Sequence, residues 1–276
     1  MRPFVRISTE LSRSATAYDS KFGGYPYLPP GEAYPMFEGE PMILLAQINW
    51  AGVPSLPDYP QSGILQIFIP KESESYGFDY DDKPGERSLW ELRWYPEPGQ
   101  TQTDLLFLPD DKELHGDPVQ TPFDFPMGAL SIESRGLCYR LAFDAASGPV
   151  LSRDGMFKPI ISTPIRAWHF WHHVTGGDQV AGHKLWEAYD ALYPPIGAKI
   201  GGYTGFSQDD TRPIPDQVPN ERGPDFDNPW KLLLQIDSER GSGMMWGDMG
   251  VANFFIRRED LLRRDFSRVW YTWDCS

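Results

Sequence analysis

Short apolar runs closed off by glycine or proline dominate the chain, and long stretches of helical spacing are rare. That pattern predicts strands. Leu44-Leu45-Ala46-Gln47-Ile48-Asn49 and Leu232-Leu233-Leu234-Gln235-Ile236-Asp237 are two such runs, followed by Gly63–Ile69 and Gly250–Ile256. Further strands are expected over Phe4–Ser8, Leu89–Tyr95, Leu105–Leu108, Tyr139–Phe143 and Val269–Trp273. Asp178 is a predicted N-cap for a helix over Gln179–Tyr193, with Leu185, Tyr189 and Leu192 on one face and Pro194-Pro195 ending it. A shorter helix carrying Trp168 and Trp171 is expected to open at Pro164, and Glu259–Arg264 adds a turn. The polar, proline-rich stretches Lys71–Arg87 and Gln208–Pro229 read as long loops and as the most mobile parts.

The runs recur in order. Lys21-Phe22-Gly23-Gly24-Tyr25 matches Lys199-Ile200-Gly201-Gly202-Tyr203, and the Leu-rich and Gly-led runs follow each in turn. From Gln47 to Gly63 is 16 residues, and from Gln235 to Gly250 is 15. Two copies are too few for a solenoid. The expectation is therefore one compact body, residues 1–276, with matched blocks at 21–69 and 199–256 about a pseudo-two-fold axis. Its fold class is mainly β, a β-roll-like α+β arrangement with few helices.

Strand parity places Gln47 with Asn49, Gln235 with Asp237, Gln66 with Phe68, and Asn253 with Phe255 on shared faces. An amide or carboxylate thus recurs at matched positions. One reading is a buried hydrogen-bond network that fixes the register of the halves. The other is the polar floor of a cleft. If a ligand binds, the candidate site is Asp237, Trp246, Asp248 and Asn253, supported by Gln235, around the glycine-rich loop Gly241–Gly250. That loop is followed by a predicted strand, so no helix N-terminus faces a phosphate there. Asp237 and Asp248 flank it and could act as a carboxylate pair.

Composition narrows the choice. The 276 residues carry 25 Lys and Arg against 39 Asp and Glu, a formal charge of −14. Nucleic-acid affinity needs phosphate-neutralising cations, so no nucleic-acid partner is expected; a basic protein partner is compatible. No apolar run reaches membrane-spanning length, and the first residues lack a signal-peptide core. A cytoplasmic protein is expected. Cys138 and Cys275 are too few for a disulfide scaffold or a four-cysteine zinc site. His169, His172 and His173 interleave with Trp168 and Trp171, which suits a helix packed by its tryptophans with outward histidines. Asp79–Asp82 and Asp225–Asp227 lack the glycine and glutamate of a calcium loop. No metal, cofactor or catalytic motif is indicated.

Ser20-Lys21-Phe22-Gly23-Gly24-Tyr25-Pro26-Tyr27-Leu28-Pro29, Leu45–Asn49 with Leu56–Pro60, Leu233–Ser238, Met245–Asp248 and Trp273-Asp274-Cys275 also carry a family resemblance. The chain resembles the YwqG-like bacterial proteins from about Pro3 to its end. The resemblance implies a mainly-β roll and a cytoplasmic location, and brings no activity and no catalytic residues. The leading functional reading is a non-enzymatic binding or interaction protein. The alternatives are an enzyme using Asp237 and Asp248 in a cleft, and an acidic inhibitor or immunity-type protein for a basic partner.

Overall fold

Two long strands lie at the centre of the molecule. In the computed structural model, β1 (Arg2–Ser12) and β8 (Cys138–Gly148) run antiparallel along their whole length, from Arg2 opposite Gly148 to Ser12 opposite Cys138. The structure describes residues 1–71, 73–83, 86–102, 121–123, 137–155, 157, 167–193, 197–208, 210, 212, 230–238 and 243–275, with the side chains of 167–170 set aside. The predicted strand Leu105–Leu108, the helix start at Pro164 and the acidic stretch Asp225–Asp227 lie outside these residues.

Outward from β1 come β9 (Lys199–Gly201), β10 (Trp230–Asp237), β11 (Val251–Arg257) and β12 (Trp270–Asp274). Outward from β8 come β2 (Lys21–Gly23), β5 (Ile43–Asn49), β6 (Ile64–Ile69) and β7 (Glu91–Tyr95). The ten strands form one sheet, curled into a half-barrel. β3 (Met36–Phe37) and β4 (Glu40–Pro41) make a separate small hairpin. The fold is mainly β, as the apolar pattern predicts. Each flank has the same succession: a three-residue strand, a long pair, then an edge strand. In both long pairs the register slips at the same place, between Leu44 and Ala46 in β5 and between Leu232 and Leu234 in β10. A bulge adds local bend and twist, which suits a sheet that must curl.

The inside of the curl holds one hydrophobic cluster shared by both flanks. Leu45, Ile48, Leu65 and Ile67 of one flank share a single cluster with Leu234, Ile236, Phe254 and Ile256 of the other, joined through Val5 and Ile7 of β1. The outer side of each flank holds a smaller cluster: Leu28, Met42, Leu44 and Phe68 on one, Phe206, Trp230, Leu232 and Phe255 on the other. β6, β10 and β11 are therefore buried on both faces, which explains why they read as continuous apolar runs.

The segment after β6 spans from one flank to the other. The Trp273 indole donates to the Ser75 carbonyl at 2.8 Å and the Tyr271 hydroxyl to the Tyr76 carbonyl at 3.1 Å. Trp90 packs edge-on against Phe254 and Tyr271. The loop expected to be mobile over Lys71–Arg87 is thus docked in part, because its aromatics have apolar surface to cover.

Three α-helices complete the described residues: α1 (Ala167–Val174), α2 (Gln179–Leu192) and α3 (Arg258–Arg263). Asp178 caps α2 as predicted, its Oδ1 accepting from the Val180 and Ala181 amides at 3.0 Å. The expected shared face of Leu185, Tyr189 and Leu192 is divided. Tyr189 packs against Trp171 and donates to the Val150 carbonyl at 2.6 Å, whereas Leu185 is 45% and Leu192 72% exposed. The inward side belongs to Gly182, Trp186 and Tyr189, because α1 approaches closely at Gly182, where a Cβ would lie 2.8 Å from the His172 ring.

Candidate functional site

The recurring amides sit on the outer face of the sheet, under the chain that leaves each short strand. Gln47 accepts the Tyr27 amide on Oε1 at 2.7 Å and donates from Nε2 to the Ala17 and Asp19 carbonyls. Gln66, opposite Gln47 in the register, donates to the Tyr27 carbonyl at 2.6 Å and to Gln47 Oε1 at 2.7 Å. On the other flank, Gln235 accepts the Gly205 amide at 2.8 Å and donates to the Gly197 carbonyl at 2.8 Å. Asn253, opposite Gln235, donates to the Gly205 carbonyl at 3.0 Å. Tyr27 and Gly205 each stand six residues after their lysine, and Asp19 and Gly197 each two before it. All four amide side chains are buried. They supply hydrogen bonds to a crossing segment that has no strand partner at those atoms, which buried backbone requires.

Trp246 is wholly buried. Its ring meets Tyr76 edge-on at 5.4 Å and lies 6.4 Å from both Tyr271 and Trp273. Its amide donates to Ser238 Oγ at 2.6 Å. The ring lies inside the body, while Asp248, two residues on, is exposed. Asp237 lies on the other side of that division, at 1% exposure on β10. Of the five candidate residues, four are interior and one is on the surface.

The charges near Asp237 carry no motif-like spacing in the sequence. Lys199 on β9 is buried, with its ammonium 5.9 Å from the Phe4 ring centre. Burial pulls its pKa down to about 8, against the opposing pull of the Asp154 and Asp237 carboxylates. Asp154 accepts the Thr204 amide at 2.7 Å on one oxygen and Arg212 Nη2 at 2.7 Å on the other. Asp210 holds the same guanidinium and accepts the Gly155 amide at 2.7 Å. Burial would lower the Arg212 pKa, but the two aspartates outweigh it and raise it. The guanidinium also stacks over Phe255 at 5.3 Å. Lys21, at the corresponding place in β2, is 1% exposed, and its ammonium donates to the Thr16 carbonyl at 2.5 Å. Its pKa is likewise drawn down to about 8 by burial, with Cys138, Asp19 and Arg140 nearby. Burial pushes the Cys138 thiol up, against the opposing pull of Lys21 and Arg140.

Matched lysines open both copies of the motif, and that recurrence is the signal by which the buried cations could have been found. Asp154 and Arg212 belong to none of the matched runs and offer no such signal. Chemically, the arrangement fixes charges and holds backbone in place. Among the described residues, no group of three or more His, Cys, Asp or Glu side chains could hold a metal ion. No helix among them is long and apolar enough to cross a membrane.

A curled mainly-β sheet around a shared hydrophobic core, whose recurring polar residues bond its own backbone, defines the structural class. The chain belongs to the family described as domain of unknown function DUF1963, whose model matches residues 20–275. No curated protein matches it.

Proposed function

We propose that this is a non-catalytic binding protein, a single body of two duplicated halves that recognises a macromolecular partner with its exterior. The observation that carries the reading is the fate of the recurring amides. Gln47, Gln66, Gln235 and Asn253 are buried and bonded to backbone, so they act as framework, and recognition falls to loops and exposed faces. Within the family, the YwqG-like bacterial proteins are the group it fits, on the motifs that open and close the chain, and a cytoplasmic setting suits its two free cysteines. The charge of −14 favours a basic protein as partner, which includes the inhibitor-type reading.

The enzyme reading rests on Asp237 and Asp248. A buried and an exposed carboxylate suit an acid and base pair in principle. Asp237, however, acts on the buried Lys199, as Asp154 does, within the body. The test is a thermal-shift and turnover screen of small metabolites on the wild type and on Asp248→Asn, beside a titration with basic and acidic test proteins. Binding to basic proteins that weakens with salt, with no metabolite effect dependent on Asp248, is the expected result. Turnover or ligand stabilisation abolished by Asp248→Asn would overturn the reading.

A further inference from the structure

The outward side of α2 is apolar where a helix on the surface of a soluble body is normally polar. Val180, Leu185, Ala188, Ala191 and Leu192 are exposed, with Ala181 half-buried among them. At 100° per residue these six fall on one broad face, opposite the side that carries Gly182, Trp186 and Tyr189. Val174, at the end of α1, and Tyr193, just after α2, are further exposed apolar residues, at 50% and 39% exposure. Scattered surface apolar residues need no explanation, but a contiguous set on one helix marks an interaction surface.

We infer that this face binds a second copy of the chain, α2 against α2 in antiparallel fashion. Two features select that occupant. The face alternates large and small residues: Leu185 and Leu192 stand out from the low ground of Ala181, Ala188 and Ala191, so a reversed copy can seat each leucine over an alanine. The polar groups are also self-complementary. Lys184 lies within the face and Glu187 at its edge, three residues apart on the same flank, and both are exposed. A two-fold axis perpendicular to two antiparallel helices keeps each flank facing its own counterpart. It therefore brings Lys184 of each copy to the partner's Glu187, forming the same pair twice, as an isologous contact demands. Glu187 is held ready by its i,i+4 contact with His183 at 3.2 Å. A foreign basic helix would match Glu187 and leave Lys184 opposed.

The α2 helix has 14 residues, about 21 Å of length. That strip is smaller than the roughly 800 Å² per partner of a standard stable interface. The dimer is therefore weak and reversible, with dissociation in the micromolar range or above. This self-association does not rest on the basic partner proposed above, since it needs only the purified chain.

The experiment is sedimentation equilibrium of the full chain from about 1 µM to about 500 µM, a span that brackets a weak dimer. Variants Leu185→Glu, Lys184→Glu and the charge-exchanged Lys184→Glu/Glu187→Lys are run beside it, each checked for native circular dichroism. Because these side chains are exposed in the monomer, the variants should fold. The expected pattern is a concentration-dependent dimer in the wild type, monomer for Leu185→Glu, at least a several-fold weaker dimer for Lys184→Glu, and recovery in the exchanged double variant. A wild type that stays monomeric throughout overturns the inference, whatever else binds the face. So does a dimer indifferent to Leu185→Glu, or a double variant that fails to recover.

Discussion

Lys21 places an ammonium inside the sheet, where the charged form is disfavoured. Its pKa falls from 10.5 to about 8, chiefly through burial. Between those values the folded state binds fewer protons than the unfolded state, so this residue's contribution to stability rises with pH across that window. Below about pH 8 the full cost of burying the charge remains. A shift of this size corresponds to about 3 kcal/mol. We therefore expect the stability of the wild type relative to Lys21→Met to improve by up to that amount as pH is raised from 7 toward 10, read by urea denaturation at each pH; a pH-independent difference would show that Lys21 titrates normally. The amides permit a sharper comparison. Gln47→Ala and Gln235→Ala each remove the side-chain partner of a buried backbone amide and of a part-buried carbonyl, and each should cost about 1–3 kcal/mol. The two sites lie on opposite flanks of the sheet, so the double variant should show the sum of the two losses. The recurrence of Gln47 and Gln235 between apolar neighbours made their role legible in the sequence. The recurrence of Lys21 and Lys199 singles the two lysines out in the sequence but does not show their burial, because lysine is almost always outside and only its surroundings reveal the exception.

Strands were the more legible elements. β5, β6, β10 and β11 are buried on both faces and advertise themselves as unbroken apolar runs ending at glycine. The central strands were found only in their middles: Phe4–Ser8 lengthens to Arg2–Ser12, and Tyr139–Phe143 to Cys138–Gly148. Their outer residues are polar and exposed and are held by the ladder alone, which leaves no apolar mark. In α2 the existence and the cap were readable and the inward face was not. It has aliphatic residues on one side and aromatics on the other, and only the close approach of α1 at Gly182 selects between them. The glycine-rich loop has a similar hidden constraint at its exit. A Cβ on Gly250 would lie 2.2 Å from the Asp274 carbonyl oxygen and 2.6 Å from that of Trp246. Both are backbone atoms, so the conflict cannot be relieved by a rotamer change. Gly250→Ala should cost about 1–3 kcal/mol by overpacking and loosen β12 from β11. Hydrogen exchange at Tyr271–Trp273 checks this: protection unchanged from the wild type would mean the edge tolerates the methyl group.

At the scale of the whole molecule, the central strands are exchanged between the halves. β1 begins the first half of the chain but pairs with β9 of the second, and β8 begins the second half but pairs with β2 of the first. β1 and β8 then pair with each other over eleven residues. Segments beyond the sheet repeat the theme: the Tyr59 hydroxyl donates to the Leu232 carbonyl at 2.7 Å, and Arg258 pairs with Asp58 at 2.7 Å. The main core contains residues from both flanks. A half of the chain taken alone would therefore lose the neighbour of its own long strand, expose one side of its short strand, and open the core along its length. Each loss acts on apolar surface worth roughly 25 cal/mol per Å², while native stability is only about 5–15 kcal/mol. Fragments 1–136 and 137–276 should accordingly lack native circular dichroism and hydrogen-exchange protection when separate, and regain both when mixed. The intact chain should unfold in urea in one transition, with tryptophan fluorescence and far-UV dichroism coincident. The tryptophans sample both halves, since Trp50, Trp90 and Trp94 lie in the first and Trp230, Trp246 and Trp273 in the second. Two separated transitions, or one fragment that folds alone with native protection, would mean that the halves are independent bodies and that the exchange of β1 and β8 merely ties them together.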